Sequence, residues 1–209
     1  MGQSAPGSGD AAPEVHLAAF GKHPGWNDHI DDLGLETDRL VAVKRILYLE
    51  GIGAAIDSGA WDKLHESQRV EGFGHILVWR TGGDVIVARM WSSSDGKGRT
   101  KYPMIVCAQL RGVPLQQALE RVLPVLEGVQ KACQETTSAD AVRGIVGSAR
   151  TQLRNLLAAL PADAPELVVP ASAIGVLAGE PAFAAGGGGG GARGCCGSCI
   201  RSSARWRRT

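Results

Sequence analysis

Three apolar, β-branched runs follow one another between residues 74 and 110, and that order constrains the fold more than any other feature of the chain. Gly74–Arg80 and Asp84–Trp91 flank Thr81-Gly82-Gly83. A Gly-Gly between such runs predicts a β-hairpin, because glycine reaches the positive φ that tight hairpin turns require. A polar loop, 92–101, then separates the hairpin from a third run, Met104–Leu110. Strands that follow each other with no helix between them pair antiparallel. Upstream, Val15–Phe20 reads as a first strand.

Helical spacing fills the remainder of the body. Leu40, Val43, Ile46, Leu47, Leu49 and Ile52 predict a helix from about Glu36 to Asp57, with Thr37 as its cap and Gly51 and Gly53 weakening its end. Residues 58–64 read as a turn with a short helix. Pro114 opens a helix with Leu115, Leu119, Val122, Leu123, Leu126 and Val129 on one face, kinked at Pro124. A second helix, about 139–160, carries Val142, Ile145, Val146, Ala149, Leu153, Leu156, Leu157 and Leu160. The expected order is β-α-β-β-β-α-α: an α+β fold, an antiparallel sheet with helices packed on it.

Composition sets the boundaries. The chain has 209 residues, 44% of them apolar, enough to bury a core without disulfides. Residues 1–13 and 192–209 hold few bulky apolar groups and read as disordered tails. Residues 162–191 are Ala-, Pro- and Gly-rich, ending in six consecutive glycines, and read as a linker. The domain is therefore expected at 14–161. Residues 192–209 carry five arginines and no acid, so taking five from the formal +1 leaves the rest of the chain at −4. That balance excludes a chain-wide design for nucleic acid or anionic membrane. The abrupt change of composition there points to a truncated or misread terminus. No apolar run approaches the length of a membrane span, and the first residues lack a signal-peptide pattern. Five cysteines make no even framework; Cys107 and Cys133 lie in apolar patterns and read as core thiols. A reducing compartment, the cytoplasm, is the expectation.

Two polar loops leave strands and concentrate Gly, Pro and hydrogen-bonding groups: 21–34 and 92–103. Loops on a rigid sheet are where binding groups are commonly placed. The first contains Phe20-Gly21-Lys22-His23-Pro24 and continues through Trp26, Asn27 and Asp28. The second contains Ser93, Asp95, Gly98 and Arg99, then Tyr102-Pro103. Together with Trp61-Asp62-x-Leu64 between them, these segments resemble the N-terminal domain of the bacterial TagF/ImpM family of type VI secretion-associated proteins. Phe20, Gly21, Lys22, Pro24 and Asp28 fall in register with its F-G-K-x-P-x-x-G-D-F pattern. Ser93, Asp95, Gly98, Arg99 and Tyr102-Pro103 match its S-x-D-x-x-G-R-x-F-P pattern, with one extra residue before the aromatic. Asn27 replaces the glycine and His29 the aromatic of G-D-F, and the likeness covers only about Val15 to Gly112. The chain thus resembles a diverged cousin.

The resemblance implies a non-enzymatic accessory or regulatory protein that acts through protein contacts. Its implied partner is a scaffold protein of the secretion apparatus, of the FHA-domain class. It supplies no catalytic residue and calls for no cofactor. The candidate partner- or ligand-binding residues are Lys22, Trp26, Asn27, Asp28, Ser93, Asp95, Gly98 and Arg99. Ion pairs of Asp28 or Asp95 with Lys22 or Arg99 are expected if the loops approach each other, either tying the loops to the sheet or forming a surface that reads a partner. Trp26, in a Gly-Pro loop, is the candidate exposed contact aromatic.

The alternative is a small-ligand-binding or metal-dependent enzyme using the same two loops. His23, Asp28, His29, Asp31 and Asp32 suit a metal by type, but lack the i, i+4 histidine pair of a compact helical site. Ser92–Ser94 with Asp95 lacks the G-x-S-x-G elbow. Gly96–Thr100 lacks the P-loop spacing and precedes a strand rather than a helix. His16 and His75 read as satisfied structural residues in strands, Trp79 and Trp91 as packing residues, and Cys195, Cys196 and Cys199 as half a zinc site at most.

Overall fold

Of four antiparallel strands, three alternate their side chains between two apolar layers, and this alternation organises the protein. The fourth, 74–81, packs only Leu77 and Trp79 against one layer and leaves Ile76 and Val78 exposed. The computed structural model describes residues 13–65 and 72–159. The expectations for the N-terminal tail, the linker and the basic Cys/Arg tail lie outside the described residues.

The strands are β1 (Glu14–Gly21), β2 (Gly74–Thr81), β3 (Asp84–Trp91) and β4 (Met104–Arg111), in the order β1-β4-β3-β2. Each pairing keeps the register its sequence pattern implies, with Ala18 opposite Cys107, Ala88 opposite Cys107 from the other side, and Val78 opposite Val87. Gly82, at φ 58°, makes the hairpin turn between β2 and β3. The mixed α+β class and the element order are as the sequence predicts.

Helices cover both faces. On one, Leu17, Ala19, Val85, Val87, Val106, Ala108 and Leu110 pack against α4 (Leu123–Gln134) and α5 (Ala139–Ala158). The stripe Val142, Val146, Ala149, Leu153 and Leu157 is buried there, so α5 has its partner in the sheet. Ser138 caps α5 by accepting from the Ala141 amide at 3.3 Å, a contact worth about 1 kcal/mol. On the other face, Ala18, Phe20, Ile86, Ala88, Ile105 and Cys107 meet the helical segment 38–57. Cys107 and Cys133 are buried free thiols, and Trp91 is fully buried.

The segment 38–57 departs from the expected α-helix. It runs as α1 (Asp38–Val43), a π-helix over Lys44–Gly53, and α2 (Ala54–Asp57). The wider turn changes which side chains reach the sheet. Val43, Tyr48 and Gly53, five residues apart, are buried, whereas Leu49, which the 3.6-residue pattern assigns to the core face, is 52% exposed. Gly51 and Gly53 lie within the π-helix, where a Cβ would sit 3.1 Å from the Ile46 carbonyl oxygen and 3.2 Å from that of Tyr48. Residues 58–63 form turns and not the expected short helix, because Gly59 enters the left-handed region at φ 71°. The helix after Pro114 begins as α3 (Leu115–Gln117) and passes through a π-turn, Ala118–Val122, before α4. Pro124 lacks the N–H that would pair with the Glu120 carbonyl four residues earlier, and the widened turn sits at that break.

A buried polar chain ties one end of the sheet to α1. Thr37 Oγ1 accepts from the Leu40 amide as the helix cap and donates to Gln109 Oε1. Gln109 Nε2 donates to Asp84 Oδ2 at 2.8 Å, and Arg111 Nε donates to Asp84 Oδ1 at 3.1 Å. Gln109 and Asp84 are both buried. His16 departs from the expected satisfied residue: its Nδ1 is buried without a hydrogen bond and lies 3.8 Å from Glu36 Oε2. His75 is exposed and stacks on Phe73.

Candidate functional site: the junction of the two polar loops

The ends of β1 and β4 bring the loops together. Gly21 closes β1 at φ 115°, where a Cβ would run into the Pro103 carbonyl oxygen, so only glycine suits this position. The next amide, Lys22 N–H, donates to that same oxygen at 3.0 Å. The chain then turns through 23–26 and returns along β1. Ile30 N–H donates to the Gly21 carbonyl, and Leu33 exchanges both backbone hydrogen bonds with Ala19.

The second loop is organised around one carboxylate. Asp95 Oδ1 accepts from the amides of Lys97 and Arg99, each at 3.0 Å, and Gly98 N–H donates to the Asp95 carbonyl at 2.9 Å. Such a turn satisfies its own amides through an aspartate side chain. Gly98 supplies the left-handed residue it needs, at φ 75°. Asp95 Oδ2 faces the first loop and accepts from Lys22 Nζ at 2.6 Å and from Arg99 Nε at 2.7 Å. Lys22 and Asp95 are 3% and 2% exposed, so this is a buried ion pair. Burial works against the Asp95 carboxylate. Lys22, the Arg99 amide and guanidinium, and the Lys97 amide outweigh it and hold the carboxyl well below the usual range.

Outside this pair lies an exposed tier. Asp28 Oδ1 sits 3.2 Å from Arg99 Nη2, 3.6 Å from Lys22 Nζ and 3.0 Å from His29 Nδ1. Its slight burial raises the carboxyl, but the charges of Arg99, His29 and Lys22 prevail and lower it. Arg99 Nη2 also donates to the Asn27 carbonyl at 2.9 Å, and Gly96 N–H donates to the Trp26 carbonyl at 2.6 Å. All four expected ion pairs therefore form, in one network that joins the loops.

The remaining candidates divide. Asn27, Asp28 and Arg99 are exposed; Trp26 is half-buried. Arg143 lies 5.2 Å from the Trp26 ring, and Trp26 Nε1 donates to Asp31, which also accepts from Arg143. Trp26 is thus tied to α5 and does not stand as a free exposed aromatic. Ser93 is apart from the network and lines a 430 Å³ cleft with Ser92, Ser94, Thr100, Thr136 and Thr137.

Sequence reasoning missed several contributors. His23 is buried: Nδ1 accepts from the Gly25 amide at 3.0 Å and Nε2 bonds to the Cys133 carbonyl at 2.8 Å. An acceptor Nδ1 assigns the ring proton to Nε2, and both nitrogens are occupied. Tyr48 and Tyr102 pack edge-on to His29, with ring centroids 5.7 Å and 5.1 Å away, and Lys22 Nζ lies 5.4 Å from the Tyr102 centroid. Nothing in an α-helical pattern singles out Tyr48; the paired Gly51 and Gly53 behind it are the only sequence trace of the wider turn. Among the described residues, no group of three or more His, Cys, Asp or Glu is arranged to hold a metal ion, and no helix is long and apolar enough to cross a membrane.

No family model matches the sequence, and no curated protein matches it. Among solved structures, the chain is similar to PA0076 from Pseudomonas aeruginosa PAO1, known from a crystal structure, at 16% identity and a TM-score of 0.45. The similarity covers 71% of this chain and 63% of that one, so the chain spans less than two thirds of PA0076.

Proposed function

We infer that the chain is a non-enzymatic accessory or regulatory protein of a type VI secretion-like system, acting in the cytoplasm by protein contacts. Its partner in this reading is a secretion-system scaffold protein of the FHA-domain class. One observation carries the reading: the residues that resemble TagF/ImpM come from loops about seventy positions apart, yet they converge on one network. Within it, Lys22, Asp95 and Gly98 build the junction, and Asn27, Asp28 and Arg99 form its outer surface.

The test is capture by the full chain from a native lysate, read by mass spectrometry, beside an Asn27→Ala, Asp28→Ala variant. These side chains are exposed, so the variant keeps the Lys22–Asp95 pair. Recovery of an FHA-domain or other secretion-scaffold protein by the wild type alone is the expected result. Recovery of no such protein, or equal recovery by both, overturns the reading.

A second reading, a small-ligand site, is favoured by the 430 Å³ cleft beside the junction, which lies in the size range of ligand pockets. Its lining is uncharged and rich in hydroxyls, which suits a neutral polyol. Melting shifts with a panel of neutral sugars, lost on Ser93→Val, are its expected signature; no shift with any of them removes it.

A further inference from the structure

The two edges of the sheet are treated differently. Along β1 the first loop returns beside the strand, and Leu33 exchanges both backbone hydrogen bonds with Ala19. At the other edge, β2 has β3 as its one paired neighbour among the described residues. An open edge is a template for pairing with another chain, and proteins usually blunt it with a short strand, Pro, Lys, a bulge or an inward charge. β2 carries none of these. It runs eight residues, pairs with β3 at every position, and its only formally charged residue is the exposed Arg80.

The edge also carries apolar surface. Ile76 and Val78 are 47% and 40% exposed. They share a face with Val87, one strand beyond the layer packed under α4 and α5. The direction of the backbone groups is fixed as well. Ser92 N–H donates to the Phe73 carbonyl, and Thr81 faces Asp84 across a two-residue turn. Odd-numbered residues of β2 therefore bond to β3, and the main-chain groups of Gly74, Ile76, Val78 and Arg80 point to the open side.

The occupant follows from the order of residues in the strand. When β2 of a second copy lies antiparallel about Leu77, its Val78 falls opposite Ile76 and its Ile76 opposite Val78. Leu77 then faces Leu77, and His75 faces Trp79 on the sheet face that the π-helix covers; such cross-strand pairs are what stabilise a sheet. Arg80 falls opposite Gly74, so the two like charges stay apart. Moving the axis to Val78 sets Arg80 opposite Ile76 instead. The strands exchange about eight main-chain hydrogen bonds in this register. At roughly one bond per 100–200 Å², the interface spans roughly 800–1,600 Å². Stable complexes bury ~1,200–2,000 Å², so the contact suits a reversible dimer. A two-fold contact is closed, and assembly stops there.

We propose that the chain forms a two-fold dimer through β2, which joins the sheets of two copies into one. The dimer goes beyond the scaffold-binding reading and uses none of its residues.

The experiment is sedimentation equilibrium of the full chain, its cysteines kept reduced, from about 1 μM to 1 mM, with amide hydrogen exchange at both ends of that range. A reversible dimer is expected, with a Kd on the order of 10 μM. The amides of Ile76 and Val78 slow their exchange only in the dimer, whereas those of Leu77 and Trp79, bonded to β3, are slow throughout. Val78→Pro removes an outward N–H while leaving the β3 ladder intact, and raises Kd at least about tenfold. Ile76→Lys, at an exposed position, does the same and decides the matter should Val78→Pro fail to fold. A monomer at every concentration overturns the proposal. So does a dimer that tolerates the folded variants or leaves the Ile76 and Val78 amides open, an assembly larger than a dimer, or slow exchange of those amides in the monomer, which would place another part of the chain on the edge.

Discussion

Replacing Lys22 by methionine removes one charge from the loop junction while keeping most of the side-chain volume. In the native protein Lys22 Nζ donates to Asp95 Oδ2 at 2.6 Å, with both side chains almost wholly buried. A hydrogen bond to a charged group contributes about 1.5–3 kcal/mol, and removing one partner of a buried pair costs about 3–5 kcal/mol. Asp95 would still be held by Arg99 Nε and by the amides of Lys97 and Arg99, so its carboxylate is not left bare. The expected destabilisation is therefore about 2–3 kcal/mol, a fall in Tm of about 5–10 °C for a chain of this size.

Urea denaturation followed by circular dichroism at neutral pH measures it. Asp95→Asn and the double variant complete the cycle, with a coupling of about 1 kcal/mol or more between the two positions. The pH dependence has a fixed sign. Asp95 is depressed below its ordinary 3.8, so its stabilisation is complete above that pH and is lost as pH falls through the lower folded value. Asp95→Asn should remove that part of the acid sensitivity. A Lys22→Met effect below about 0.5 kcal/mol, the size of an exposed pair, would refute the reasoning.

Gly21→Ala should cost about 2–3 kcal/mol, since the new Cβ combines a strained φ with the Pro103 carbonyl; a melting temperature within error of wild type would contradict this. Nitrogen-15 NMR of His23 should show the proton on Nε2, and the Nδ1–H tautomer would disprove the Gly25 contact. Burial pushes the Cys107 thiol up to about 12 and that of Cys133 up to about 11. Peptide mapping after brief alkylation of the native chain should therefore find both unmodified, and labelling of either before unfolding would show its burial to be wrong. Leu153→Ala, at a fully buried position of α5, should lower stability by about 2–5 kcal/mol in the same urea assay; a change under about 1 kcal/mol would mean that the stripe is not packed on the sheet.

The strands were legible because hairpin chemistry is local: the Gly82–Gly83 turn and the β-branched runs beside it mark both ends of β2 and β3 within a residue. The long stripe on α5 was legible for the same reason, since its 3.6-residue spacing is unbroken from Val142 to Leu157. Segment 38–57 was legible as a helix but not as to its faces. A five-residue spacing, Val43–Tyr48–Gly53, is invisible to a search at 3.6 residues, and it moved Leu49 outward and Tyr48 inward. At the site, residue types in the loops announced charge pairing, but the depth of each pair did not follow from them. Lys22 follows the edge strand β1 and is buried because the second loop closes over it through Pro103 and Asp95, while Arg99, four residues past Asp95, reaches that carboxylate from outside. The link from Trp26 to Arg143 joins positions more than a hundred residues apart and leaves no local pattern to read.

The Thr37–Gln109–Asp84–Arg111 chain bears on how the sheet finds its pairing. Most antiparallel sheets are steered by contrast, one face wet and one dry, so that a one-residue slip puts apolar groups in water. β4 has no such contrast: seven of its eight residues are buried, with apolar groups on both sides. A slipped β4 would exchange one oily layer for the other at little hydrophobic cost. What the slip cannot preserve is Gln109 opposite Ile86 and beside Asp84, with the helix cap waiting on its other side. The clip therefore acts as an index mark, and a chain with Asp84 and Gln109 both made apolar should remain compact while populating more than one strand alignment, visible as duplicated amide resonances in β3 and β4.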